Sequence, residues 1–533
     1  MGIPFDSFGV MIDCSRNAVM NKAAFCKMTD ILSALGYNTI RLYTEDTYEV
    51  DGEPYFGYLR GRYSKQELKE MDAYCAARGI TLVPCIQTLA HLGTIFRYAD
   101  YGAIRDADDI LLVGAERTYA LIENMFRSLA ECFRARRVNI GMDEAFLLGR
   151  GKYLTQNGLV PSAVIMRRHL ERVLAIAKKY GFSCEMWGDM FLHAAYGDGR
   201  NDAAAVREQV PEDVTLICWD YYHTDEEFFL GEIDKYKALS DRVMFAGGAW
   251  TWLGFCPNNS YSIKEIEAAI RACVARGMRD VFFTLWGDNG GECSPFAVLP
   301  SLVCAAEFAR GNFSMPSVKQ RFAEIVGEDF DLFCALELPD KIYAGEEPDC
   351  QDPSKVLLYT DPFMGIYDRC VREGTAEAYY TGVSETLRKG ETGEWAYLFR
   401  PIRALADVLA VKFELGVQTR KAYAAKDRAA LARLAGERYP LLLQRLETFY
   451  DEYERFWMTE KKPQGFEVQD ARLGGLIRRV KHCMDRLNAW LSVSGGIGSI
   501  PELEEELLLP FGQKEGCPIA YNYYNCLYTV NVT

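Results

Sequence analysis

The sequence predicts a closed (β/α)8 TIM barrel over residues 1–315, followed by a mainly α-helical C-terminal region over 316–533 with a short β-like tail. Three observations predict it. Eight short β-rich apolar runs alternate with amphipathic helical stretches, which implies a parallel α/β sheet. The runs are almost continuously apolar, as strands buried on both faces require. Eight units close a barrel, and the first run lacks the Gly-rich turn that an open, nucleotide-binding sheet would carry in place of CSRNAVM.

The runs are GVMIDCS (9–15), TIRLYTE (39–45), ITLVPCI (80–86), RVNIGMDE (137–144), SCEMWGD (183–189), VTLICWDYY (214–222), RVMFAGGAW (242–250) and VFFTLWGD (281–288). Helical stretches such as NKAAFCKMTDILSALG and SIKEIEAAIRACVARG lie between them. Several stop at a glycine (Gly36, Gly79, Gly181, Gly277), where a left-handed residue ends a helix before the next strand. After about residue 315 the pattern changes to segments rich in Ala, Leu, Arg and Glu with helical spacing: 374–390, 397–424, 427–435, 437–459 and 467–491. A GGIGS break (495–499) precedes IAYNYYNCLYTVNVT, which alternates enough to be a strand. The helical region is a candidate homodimer interface.

A length of 533 residues calls for more than one domain, and 49% apolar with 25% charged residues is the composition of a globular protein. The net charge of −15 and the lack of a basic face exclude a nucleic-acid partner. No stretch is apolar and long enough to cross a bilayer, and the N-terminus does not read as a signal peptide. The 17 cysteines are odd in number and scattered through strand-like runs, which predicts reduced thiols and a cytoplasmic location. Neither the cysteines nor the five histidines have the spacing of a metal site.

Chemistry in such a barrel sits where the strands end. The first run ends with Asp13 and Arg16, and the second with Arg41, Glu45 and Asp46. Gln87 and His91 follow the third, Asp143 and Glu144 end the fourth, and Trp187 and Asp189 the fifth. Trp219, Asp220, Tyr221 and Tyr222 end the sixth, Trp250 and Trp252 the seventh, and Trp286, Asp288 and Glu292 the eighth. Taken singly, an Asp–Glu pair is commonly a capped helix start, a lone His structural, and a strand-end Trp part of the core. Together they make a ring of acids and aromatic faces, which suits a sugar: C–H faces pack on Trp while hydroxyls bond to carboxylates, Arg and His.

Adjacent acids can serve one pocket only where the strand ends and the backbone turns. They then approach a ligand from neighbouring directions instead of flanking a ring, as an ordinary pair of glycosidase carboxylates does. That arrangement fits a substrate that supplies its own nucleophile. The motifs from Gly9 to Asp288, with IGMDEA foremost and MIDCSRN, LYTED, PCIQTLAH, MWGDM, ICWDYY, GAWTW and TLWGDNG in support, resemble glycoside hydrolase family 20. These are the exo-β-N-acetylhexosaminidases, here in the bacterial branch that lacks an N-terminal accessory domain.

The resemblance implies a retaining, substrate-assisted mechanism on oligosaccharides with terminal β-GlcNAc or β-GalNAc, without metal or organic cofactor. It implies that Glu144 is the general acid and base, and that Asp143 steers the acetamido N–H. Tyr221 or Tyr222 would bind the acetamido oxygen. Trp187, Trp219 and Trp286 would wall the acetamido pocket, with Trp250 or Trp252 near the leaving group. Arg16, Glu45 or Asp46, His91 and Asp288 would meet the hydroxyls. Two alternatives remain open at this stage: a retaining glycosidase on sugars without an acetamido group, pairing Glu144 with Asp288 or Glu292, and a non-catalytic carbohydrate-binding barrel.

Overall fold

Eight parallel strands close a barrel in sequence order: β1 (Ser7–Asp13), β2 (Thr39–Tyr43), β3 (Thr81–Cys85), β4 (Arg137–Asn139), β5 (Ser183–Trp187), β6 (Val214–Trp219), β7 (Val243–Gly248) and β8 (Asp280–Leu285), with β8 pairing back onto β1. This computed structural model describes residues 2–345, 352–493, 498–510 and 512–516. The strand expected in the tail 519–533 lies outside them, as does most of the GGIGS break.

Every residue of β1 and β2 is buried, which accounts for the unbroken apolar runs. Helix punctuation follows local chemistry. Asn21 accepts from the N–H of Ala24 to start the helix Lys22–Leu35, and Gly36 at φ +88° ends it. Ser64 and Glu67 form a reciprocal capping box at the start of Lys65–Ala76. Gly79, Gly181 and Gly277 also take positive φ directly after their helices.

The strand β4 is shorter than the apolar run RVNIGMDE predicts. It ends at Asn139, whose side chain accepts from the N–H of Gly141, and Gly141 and Met142 then turn into the left-handed region at φ +74° and +71°. The two acids therefore stand on a turn beyond the strand. Inside the barrel, Arg41 and Glu185 form a buried ion pair that also takes in Arg137, and above it Met11, Tyr43, Cys85, Trp187, Ile217, Met244, Ala246 and Phe282 pack as an inner layer.

From Met315 onward the described structure is helical, with the long helices Ala396–Lys412, Tyr439–Glu460 and Phe466–Ser492. The single helix expected over 397–424 is two, Ala396–Lys412 and Leu415–Ala424. At the break Glu414 turns aside, and its carboxylate accepts from the N–H groups of Gly374, Thr375 and Ala376.

Two groups of contacts, among others, join this region to the catalytic face. Arg472 donates to the Asn289 carbonyl (2.9 Å), the Asn289 side chain (2.8 Å) and Glu292 (2.6 Å), where Glu292 also meets Lys355. The loop after β1 is held by residues 459–465: Asn17 donates to the Gly465 carbonyl, Asn21 to those of Thr459 and Glu460, and the N–H of Lys462 to Val19.

Candidate active site

At the C-terminal end of the barrel a cavity of about 480 Å³, including its open mouth, is lined by Arg16, His91, Asp143, Glu144, Trp187, Trp219, Tyr221, Tyr222, Trp252, Trp286 and Asp288. Every strand but β2 contributes, through its last residue or the segment that follows it. Four of the lining or adjoining residues sit in strained left-handed backbone: Glu45 (φ +46°), His91 (+55°), Met142 (+71°) and Glu144 (+51°). Such conformations persist where surrounding contacts over-determine them.

The acid pair is asymmetric. Asp143 is buried; its Oδ1 accepts from Gln87 Nε2 at 2.7 Å and its Oδ2 lies 3.1 Å from His91 Nε2. Burial alone would raise this carboxyl, but the charge and hydrogen bond of His91, with the Gln87 amide, hold it below the usual carboxylate range. His91 responds in kind: burial opposes its charge, yet Asp143 lifts the imidazole to about 9. Glu144 stands half-exposed at the mouth, 3.7 Å from His91 Nε2, and desolvation together with the Asp143 charge pushes it upward. Its backbone N–H donates to Asp189 Oδ2 at 2.9 Å, and burial followed by the charge of Asp143 raises Asp189 to about 7. The site thus sets an ionised carboxylate beside one biased toward its protonated form, a pairing suited to steering and proton donation at one point.

Aromatic faces enclose the other sides. Trp187 and Trp286 approach at 5.8 Å, Trp286 meets the edge of Tyr43 at 4.7 Å, and Trp219 stacks on Tyr221 at 5.2 Å. The indole N–H groups of Trp187 and Trp219 are buried without a hydrogen-bond partner among the described residues, leaving two donors beside the cavity. Arg16 Nε lies 3.5 Å from Glu45 and 3.9 Å from Asp288.

Three expected binding residues are placed elsewhere. Trp250 is 1% exposed, stacked behind Trp252 at 4.5 Å, with its indole N–H given to the Tyr221 carbonyl. Asp46 is buried against Arg60 and braces the second loop. Glu45 faces an adjoining cavity and meets the site through Arg16 and the Tyr43 hydroxyl. Glu292, the alternative second acid, is buried between Lys355 and Arg472 and does not line the cavity.

Residues 5–228 match the model described as the catalytic domain of glycosyl hydrolase family 20, and residues 331–519 match the glycoside hydrolase 20C C-terminal domain. The chain belongs to glycoside hydrolase family 20. It is therefore a glycoside hydrolase. Among relatives of this family 20 chain, hexosaminidase D of Bos taurus is 26% identical over 335 residues, covering 57% of this chain and 92% of the relative. Hexosaminidase D of Homo sapiens is 24% identical over 201 residues, 36% of this chain and 40% of the relative. A solved family 20 exo-β-N-acetylglucosaminidase from Vibrio harveyi, in complex with N-acetylglucosamine, aligns with a TM-score of 0.47 at 15% identity over 62% of this chain and 58% of that one.

Within this family 20 site, Gln87 and Asp189 were legible as strand-end residues but carried no role in the sequence. Asp109, which accepts from the His91 N–H at 2.9 Å, follows no strand and gave no signal at all.

Proposed function

We propose that this family 20 hydrolase is an exo-acting β-N-acetylhexosaminidase that removes terminal β-GlcNAc or β-GalNAc with retention, using the substrate's own amide as nucleophile. The observation that carries the reading is the Asp143–Glu144 pair itself, one acid held ionised and the other biased toward protonation within one aromatic pocket.

In the first step the acetamido carbonyl oxygen attacks the anomeric carbon as the glycosidic C–O bond breaks. Glu144 delivers its proton to the departing oxygen. Asp143 accepts a hydrogen bond from the acetamido N–H and balances the positive charge of the oxazolinium ring. In the second step Glu144, now a carboxylate, takes a proton from water as that water attacks the anomeric carbon and reopens the ring. Two displacements at one carbon leave the configuration unchanged. Trp187, Trp219 and Trp286 wall the acetamido group. Tyr221, buried against Trp219, is better placed than the half-exposed Tyr222 to meet the acetamido oxygen. Arg16, His91 and Asp288 are left for the ring hydroxyls. Free thiols at all 14 described cysteines support a reducing, cytoplasmic setting.

The test is hydrolysis of aryl β-GlcNAc, β-GalNAc and β-glucoside by the wild type, Asp143→Asn and Glu144→Gln. The reading expects turnover of the two acetamido sugars alone, a β-configured first product, and losses of about 100- to 10,000-fold in each variant. Inversion at the anomeric carbon, or glucoside cleavage as fast as that of GlcNAc, overturns it.

A further inference from the structure

Gln87 lies just beyond β3, fully buried, and both ends of its amide are engaged. Its Oε1 accepts from the N–H of Met142 at 3.2 Å. Its Nε2 donates to Asp143 Oδ1 at 2.7 Å and to the Tyr43 hydroxyl at 2.9 Å, and Tyr43 passes its own hydrogen to Glu45 at 3.2 Å. The amide fits one way round only. A backbone N–H must donate and a carboxylate must accept, so a flip would oppose donor to donor and acceptor to acceptor.

The chain behind Asp143 shows why such a brace is needed. Gly141, Met142 and Glu144 all have positive φ, so the N–H of Met142 has left the β ladder. A side chain at Gly141 would overlap the Gln87 amide, so the turn and the amide are fitted to each other. Asp189 holds the next free N–H, that of Glu144, from the opposite side.

We propose that Gln87 is the positioning residue for Asp143. Its amide locks one carboxylate oxygen and the strained turn, so that the other oxygen, which His91 Nε2 approaches at 3.1 Å from one side, keeps a lone pair for the acetamido N–H. The proposal rests on the substrate-assisted reading above. A neutral donor is required: a second carboxylate this close could not stay ionised alongside Asp143, and the two would share one proton. A glutamine braces Asp143 while leaving it fully anionic.

The isosteric Gln87→Glu separates this from a packing role. At low pH the introduced carboxyl is protonated and donates to Asp143 as the amide does, so kcat recovers toward the wild-type value. As pH rises it ionises, repels Asp143, and brings the alkaline limb of the kcat/KM profile down by about one pH unit or more. Gln87→Met, of similar length but without the amide, lowers kcat about 100-fold with KM changed less than about threefold, and weakens a thiazoline mimic of the intermediate by a like factor. Circular dichroism establishes folding, and if the methionine variant fails to fold the glutamate profile decides alone. A wild-type pH profile in Gln87→Glu overturns the proposal, as does retention of more than about a third of kcat in a folded Gln87→Met. Should Asp143→Asn itself prove fully active, the substrate-assisted reading fails instead.

Discussion

Replacing Asp143 by asparagine should lower the proton affinity of His91 by an amount the structure fixes. Two unit charges 3.1 Å apart attract by about 5 kcal/mol at an effective dielectric constant of about 20. Burial and the nearby Arg16 take part of this back, and the imidazole settles at about 9 against an ordinary 6.5. At about 1.4 kcal/mol per pH unit, the net effect is about 3 kcal/mol.

The folded pKa of His91 is the higher one, so its stabilisation is complete below about 6.5 and drains away as pH rises through about 9. For Asp143 the folded pKa is the lower one, and its share is lost at the acid end. With five histidines in the chain, the His91 ring is assignable by NMR titration. In Asp143→Asn it should titrate well below 9, since burial and Arg16 are then opposed only by Glu45, Glu144 at 3.7 Å and Asp109 at 3.8 Å. Reciprocally, His91→Gln should move the acid limb of kcat/KM to higher pH. A ring that still titrates near 9 in Asp143→Asn would refute the ion-pair account.

Three further outcomes are expected. Tyr221→Phe should lower kcat on acetamido substrates by about 100-fold and stability by only about 1 kcal/mol, because the buried hydroxyl also bonds Trp286 and Thr284. Gly141→Ala should lower thermal stability by about 1–3 kcal/mol and kcat with it, since its φ of +74° strains any side chain and the new methyl displaces Gln87. Arg472→Met should cost about 3–5 kcal/mol in denaturant titration of the full chain, because it strips one cation from the buried Glu292, and should raise KM through the loop bearing Asp288.

The barrel was readable because parallel strands buried on both faces leave long apolar runs between helices, and Asp143, Glu144, His91 and six aromatic residues converge where strand ends predict. Pattern failed where hydrogen bonding overrode it. The run through 144 looked like strand, but Asn139 and Gly141 end it early. Trp250 and Trp252 share a motif, yet the Tyr221 carbonyl captures the first indole and turns it inward. Glu292 looked catalytic because its cationic partners come from about 60 and 180 residues further along, a separation that local pattern does not reach. Gln87 had no signal beyond its place, since its role depends on which backbone N–H the turn at 142 sets free.

The grip of residues 459–465 on the loop after β1 has a temporal consequence. Asn21 and Asn17 find their partners 438 and 448 positions downstream. As the polypeptide leaves the ribosome, the loop after β1 has its barrel contacts, such as Arg16 with Glu45, but lacks these distant partners until the helix Tyr439–Glu460 and the turn beyond it have emerged and docked. The part of the catalytic mouth made first thus receives its last fastening late, and a nascent barrel, however well formed, lacks the clasp on residues 17–21.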